Sequence, residues 1–145
     1  MKLYLANDHA AGLFKQELLE LLKAKRSDLE LIDLGTNGKE SVDYPDFANK
    51  LAAALREDEN ALGLLICGTG IGISIAANRH KHIRAACCTD ATSAKLAREH
   101  NDANVLCLGA RILGSVLAFD ILQAFLQATF DKDSPRHCMR IAKLS

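Results

Sequence analysis

The run Leu64-Leu65-Ile66-Cys67-Gly68-Thr69-Gly70-Ile71-Gly72-Ile73-Ser74 ends an apolar strand with a cysteine and enters a helix through three spaced glycines. Such a junction can hold both a basic sulfur and an anion. Glycine lacks Cβ, so the N–H groups between Cys67 and Ile73 can approach a ligand closely, and the positive end of the following helix points at them. A helix amino end also favours the thiolate form of a thiol beside it. The competing reading is a buried cysteine closing a strand, with glycines chosen for a tight turn. Other residues able to carry chemistry are Asn7-Asp8-His9, His100-Asn101-Asp102, Gly109-Ala110-Arg111, and Arg136 with Arg140. Each has a plainer alternative. Asp8 can be a helix cap beside an incidental His9, and His100 can meet the negative end of a helix dipole. Arg136 and Arg140, spaced i, i+4 so that a helix would present both on one face, can be solvated surface charges. His80, His82 and His137 read as surface residues.

These residues need elements to position them. Short β-rich apolar runs alternate with longer stretches of helical period, which predicts strands over 2–6, 30–34, 63–67, 83–88 and 104–108. Phe14, Leu18, Leu21 and Leu22 fall at i, i+4, i+7 and i+8, while Lys15, Glu17 and Lys23 take the other faces, as in a helix covering one side of a sheet. Further helices are predicted over 45–56, 71–79 and about 91–100, the last behind an Asp90 cap. The alternation is that of a parallel sheet with crossover helices. In such a sheet ligands collect beyond the carboxyl ends of the strands. Asn7-Asp8-His9, Gly35-Thr36, the Cys67–Gly72 loop and Gly109-Ala110-Arg111 all fall at those ends. The segment 116–130 is apolar on nearly all sides, with only Asp120, Gln123 and Gln127 as a polar stripe, so it needs two surfaces to bury it. A subunit interface as the second surface predicts a homodimer or larger assembly.

Composition narrows the classes. With 145 residues, 49% of them hydrophobic and 25% charged, the chain is the size of one compact domain over 1–145. Lys plus Arg equals Asp plus Glu at 18 each, with the signs interspersed, which excludes the basic footprint of a nucleic-acid binder. The apolar run after Lys2 is too short for a signal segment or membrane span, so a cytoplasmic protein is expected. The five cysteines are odd in number and contain no CxxC pair, as expected of reduced thiols. Cys87, Cys88 and Cys107 read as small core residues of strands.

Taken together, the motifs resemble the sugar-phosphate isomerase family that holds the B-type ribose-5-phosphate isomerases and the galactose-6-phosphate and allose-6-phosphate isomerases. The likeness runs end to end. It covers Asn7 to Gly12, Asp43-Tyr44-Pro45, the Ile66 to Asn78 block, Ile83-Arg84-Ala85, His100-Asn101-Asp102, Gly109-Ala110-Arg111, and Arg136-His137 with Arg140. The resemblance implies a three-layer α/β/α sandwich with a five-stranded parallel Rossmann-like sheet. It implies an aldose–ketose isomerase interconverting D-ribose 5-phosphate and D-ribulose 5-phosphate through ring opening and a cis-enediol, with no metal and no cofactor. A six-carbon sugar phosphate, or a binding module without turnover, are the alternatives. Cys67 matches the base, and His100 the residue that opens the furanose ring, with Asp8 placed to accept the hydroxyl proton. Thr69 and the N–H groups of Gly68, Gly70, Ile71 and Gly72 match the stabilisers of the enediolate. His9, Arg136 and Arg140 match the phosphate grip, with Arg111 assisting, and Asn101 matches a contact to sugar hydroxyls. The resemblance further implies a homodimer or homotetramer whose active site forms at a subunit interface. One branch of the family uses a glutamate at the position of Ile73, a side chain that takes no proton. The stretch Asp133-Ser134-Pro135 departs from the glycines usual before the arginine.

Overall fold

Each predicted strand is present, and all five run parallel. The computed structural model describes residues 1–144. Its strands are β1 (Lys2–Asn7), β2 (Glu30–Asp33), β3 (Leu62–Cys67), β4 (Ala85–Cys87) and β5 (Val105–Gly109). The helices are α1 (Gly12–Lys25), α2 (Tyr44–Glu57), α3 (Ile71–Ala77), α4 (Ala91–Asn101), α5 (Ser115–Gln127) and α6 (Pro135–Ala142), with a 3-10 turn at His9–Ala11. The sheet order β2-β1-β3-β5-β4 places β3 and β5 side by side, with Cys67 opposite Gly109. Strand order reverses between β1 and β3, where Asn7 pairs with Ile66, and in parallel sheets ligands bind beyond the strand ends at such a switch point.

Alternation along the central strands builds a core on each face. Leu64, Ile66, Leu106 and Leu108 pack under α1, α4 and α5, whereas Leu65, Cys67, Val105 and Cys107 pack under α2 and α3. The result is the three-layer α/β/α arrangement. Among the described residues no helix is long and apolar enough to cross a membrane.

Some expectations change. The strand predicted over 83–88 shrinks to Ala85–Cys87 because Ile83 N–H turns back to the His80 carbonyl (3.0 Å) and Arg84 N–H goes to a side chain. Asn78 donates to the Ala85 carbonyl (2.9 Å) and accepts its N–H (2.8 Å), and the Asn104 carboxamide oxygen accepts from Arg84 N–H (2.8 Å). The helix predicted over 116–130 ends at Gln127, where Ala128 turns extended. Its face away from the sheet lies between α1 and α4 of the same chain, burying Phe119, Ile121, Leu122, Phe125 and Leu126. Of its large apolar residues only Val116 and Leu117, in the first turn, stay exposed. The chain's own helices therefore supply most of the second surface. Cys87, expected in the core, is exposed, since β4 is a short edge strand. Lys15, expected on a polar face, is buried at 1% exposure. Its ammonium donates to Asp33 (3.0 Å) and to the Thr36 carbonyl (3.0 Å).

Candidate active site

At the carboxyl edge of the sheet three strand ends meet around one cysteine. Cys67 is 4% exposed, and the N–H of Gly70 donates to its sulfur at 3.2 Å. That interaction is strongest when the sulfur carries negative charge. The loop closes back on itself because Gly70 adopts a left-handed conformation (φ 78°). A Cβ there would stand 2.9 Å from the Leu108 carbonyl carbon and 3.0 Å from Cys87 Sγ, so only glycine fits. Gly109 lets the loop settle on β5, for a Cβ at that position would lie 2.6 Å from the Thr69 carbonyl oxygen. Backbone bonds fasten the two: Ala110 N–H donates to the Cys67 carbonyl (2.9 Å) and Arg111 N–H to that of Gly68 (2.9 Å). The Arg111 side chain consequently passes over Gly68. Thr69 Oγ1 accepts the Ile71 N–H (3.2 Å), which leaves the hydroxyl proton available to a ligand. The Tyr44 ring rests on Gly72, 2.7 Å from where a Cβ would stand.

Across the switch point, β1 delivers Asp8 and His9. Asp8 is 6% exposed; its N–H donates to the Ile66 carbonyl (3.2 Å) and its carboxylate caps Ala10 N–H (3.0 Å). The capping reading of Asp8 and its place beside the Cys67 loop are thus both realised. His9 Nδ1 accepts the Val42 N–H at 3.0 Å, so in the neutral ring Nε2 carries the proton and can donate to an anion. Asn7, fully buried, ties this end to the neighbouring loop by donating to the Asp8 (2.8 Å) and Thr36 (3.0 Å) carbonyls.

The remaining candidates sit elsewhere. Helix α4 starts after β4 at the carboxyl edge and ends before β5 at the amino edge, so His100 and Asn101 lie at the opposite side of the sheet from Cys67. Its eleven residues span about 16 Å at ~1.5 Å per residue. Asp102 ends it in a left-handed cap (φ 46°), and Arg84 grips that residue through its carbonyl (2.7 Å) and carboxylate (2.8 Å). Arg136 and Arg140 share α6, which packs beside α4, and both are exposed. The His100 and His137 rings stack, with centroids 4.4 Å apart and planes 17° apart. His137 is buried at 8% exposure, contrary to the surface position expected for it, because α6 lays that side against α4. Within one chain, then, Asp8, His9, Cys67, the glycine loop and Arg111 come together. His100, Asn101, Arg136 and Arg140 form a second group at the other edge.

Burial pushes the Cys88 thiol up to about 11, with Cys87 and Asp90 adding, and holds Cys107 well above its ordinary value. Cys87 is raised too, first by burial and then by Cys67. Among the described residues no three His, Cys, Asp or Glu side chains converge to hold a metal ion.

Comparison with known proteins fits this geometry. The model of the family described as Ribose/Galactose Isomerase matches residues 3–144. The chain belongs to that family. It is 42% identical over 138 residues to ribose-5-phosphate isomerase B of Escherichia coli, covering 95% of this chain and 90% of the other. The structure of Clostridium thermocellum ribose-5-phosphate isomerase B superposes with a TM-score of 0.91 at 48% identity, over 99% of this chain and 95% of that one. The Mycoplasma genitalium isomerase B with bound ribulose-5-phosphate superposes at 0.89 and 39% identity, over 99% and 93%. Sequence reasoning missed the parts of Arg84, Lys15 and His137. The i, i+4 spacing of Arg136 and Arg140 was the one available signal, since it also fixes which way the intervening His137 faces.

Proposed function

We propose that this chain interconverts D-ribose 5-phosphate and D-ribulose 5-phosphate, with Cys67 as the base that carries the proton between C2 and C1. The observation that supports it most is the seat of Cys67: a sulfur at a strand end, receiving Gly70 N–H at 3.2 Å and flanked by Asp8 after β1 and Arg111 after β5. The bound ketose phosphate of the Mycoplasma genitalium relative is consistent with the substrate class.

The steps follow from the residues. The furanose opens as His100 gives a proton to the ring oxygen and Asp8 accepts the one on the C1 hydroxyl. Cys67 thiolate then removes the C2 proton, and negative charge develops on O1. Gly70 N–H is engaged by the sulfur and Ile71 N–H by Thr69 Oγ1, so the Thr69 hydroxyl, with the N–H groups of Gly68 and Gly72, carries the stabilisation of that oxygen. The proton returns from Cys67 to C1 while the O2 hydroxyl proton passes to O1, giving the ketose. Phosphate is gripped by His9 Nε2, Arg136 and Arg140, with Arg111 assisting, through charge-assisted hydrogen bonds. Asn101 orients sugar hydroxyls.

Because the two residue groups occupy opposite edges of one chain, this reading requires a second copy: one subunit supplies Cys67 and its neighbours, the other His100, Asn101 and the α6 arginines. The exposed apolar residues Ile71, Ile75 and Tyr44 beside the glycine loop offer surface for that contact. A spectrophotometric assay on ribose 5-phosphate tests the activity. Turnover by the native chain and none by Cys67→Ala of unchanged circular dichroism is the expected result. Substantial turnover by Cys67→Ala would overturn the base assignment.

A further inference from the structure

We infer that His137 is a positioning residue for the reaction, holding the His100 imidazole at a fixed orientation through the face-to-face ring stack. This rests on the ring-opening role proposed above for His100. The need arises from where His100 stands. It is exposed in the last turn of α4, and an exposed side chain there samples several rotamers. Its ring makes no hydrogen bond among those of the described residues, so nothing polar fixes it. A general acid must nevertheless meet the ring oxygen of the sugar at hydrogen-bond distance.

The stack meets that need in a particular way. With centroids 4.4 Å apart and planes 17° apart, His137 restrains the plane of the His100 ring while leaving both of its nitrogens free at the edges. A hydrogen bond would have fixed the ring too, but by occupying one of the two nitrogens. His137 can serve as a wall because it is itself fixed. Its ring is buried, and its N–H is the one that the Ser134 cap of α6 accepts, at 3.5 Å. The segment before α6 is docked on the same end of α4, where Asp131 N–H donates to the Glu99 carbonyl (3.0 Å). A cavity of about 710 Å³ opens beside the pair, lined by Glu99, Phe130, Asp131, Lys132 and Asp133 together with His100. His100 thus faces open space on one side and the His137 ring on the other.

The position of His137 between Arg136 and the rest of α6 makes the test a matter of separating kcat from KM. Loss of the stack alone misplaces the acid, and a displacement of about 1 Å costs on the order of 10²-fold in rate. Loss of α6 would instead weaken the arginine grip on phosphate and raise KM. The experiment compares His137→Ala, His137→Phe and His100→Asn with the native chain on ribose 5-phosphate, with thermal melts of each. The expected result is a fall in kcat of about 10- to 100-fold for His137→Ala with KM changed less than about twofold. Phe at 137 keeps a stacking ring and should recover kcat to within about threefold of native. Unchanged kcat in His137→Ala, or a Phe variant as slow as the Ala variant, would overturn the inference, as would a change confined to KM. Native turnover by His100→Asn would instead remove the acid role on which the inference rests, so the two failures are told apart.

Discussion

The two edges of this sheet are built by different means. At the carboxyl edge, Cys67 and Asp8 are buried, and backbone bonds from β1, β3, β5 and the loop after β5 hold them and the partly exposed glycine loop, so the backbone sets their geometry. At the amino edge, His100, Asn101, Arg136 and Arg140 are exposed on helix surfaces, and caps, an arginine clamp and a ring stack orient them. The difference matches the tasks proposed for them. A proton moved between adjacent carbons tolerates little error in the base, whereas phosphate can be grasped by long flexible cations, and at the amino edge it is His100, restrained by its ring stack, that needs a fixed position.

The sharpest way to break this comparison is to divide the two edges between chains. Cys67→Ala and His100→Asn should each lose at least about 10²-fold in turnover. Unfolding and refolding a mixture of the two should restore activity to about a quarter of native, since half of the dimers pair one of each and carry one intact site. No recovery would place both groups in a single-chain site. A smaller loss tests the rigidity of the carboxyl edge. In Gly109→Ala the new methyl meets the Thr69 carbonyl oxygen and displaces the loop, so kcat should fall at least about tenfold while phosphate-dependent KM stays level. Native kcat there would show that the loop need not rest on β5.

Below that in effect stands Lys15→Met, which removes a buried ammonium and leaves the Thr36 carbonyl with one of its two side-chain donors, Asn7. Urea denaturation should show a loss of about 1–3 kcal/mol, limited because Asp33 is partly exposed and can turn to water. Stability equal to native would mean that the buried ion pair is replaceable by packing alone. The smallest effect is expected at the amino edge, where Ser134→Ala removes the cap of α6. A cost of about 0.5–1 kcal/mol and a KM for ribose 5-phosphate raised about twofold should result. A larger change in kcat than in KM would show that the cap acts on His100 more than on the arginines.

Much of the carboxyl edge was legible in the sequence because its chemistry is local. A strand, a cysteine, three glycines and a helix follow one another within eleven residues, and the parallel alternation places the other strand ends beside them. The amino edge was legible only as residue types. Whether His137 faces solvent depends on how α6 docks against α4, a contact between segments whose own pattern is largely polar. Lys15 likewise lies outside the apolar stripe of α1, and its burial is decided by Asp33 and Thr36 on a different element. The boundary of β4 was misread for a related reason. Ile83 continues the apolar run, but its N–H closes a turn on the His80 carbonyl, and the Asn104 carboxamide takes the Arg84 N–H.

The sheet order has a consequence for how the molecule opens. Strands β3 and β5 are paired on both sides, while β4, with three residues, and β2, with four, form the outer edges. Amide hydrogens should therefore exchange with deuterated water first from β2 and β4 and last from β3 and β5, because fraying starts where fewest buried contacts hold the backbone. The sulfur of Cys67 is thus attached to the last part of the chain to come undone, so partial opening at either edge leaves its seat intact.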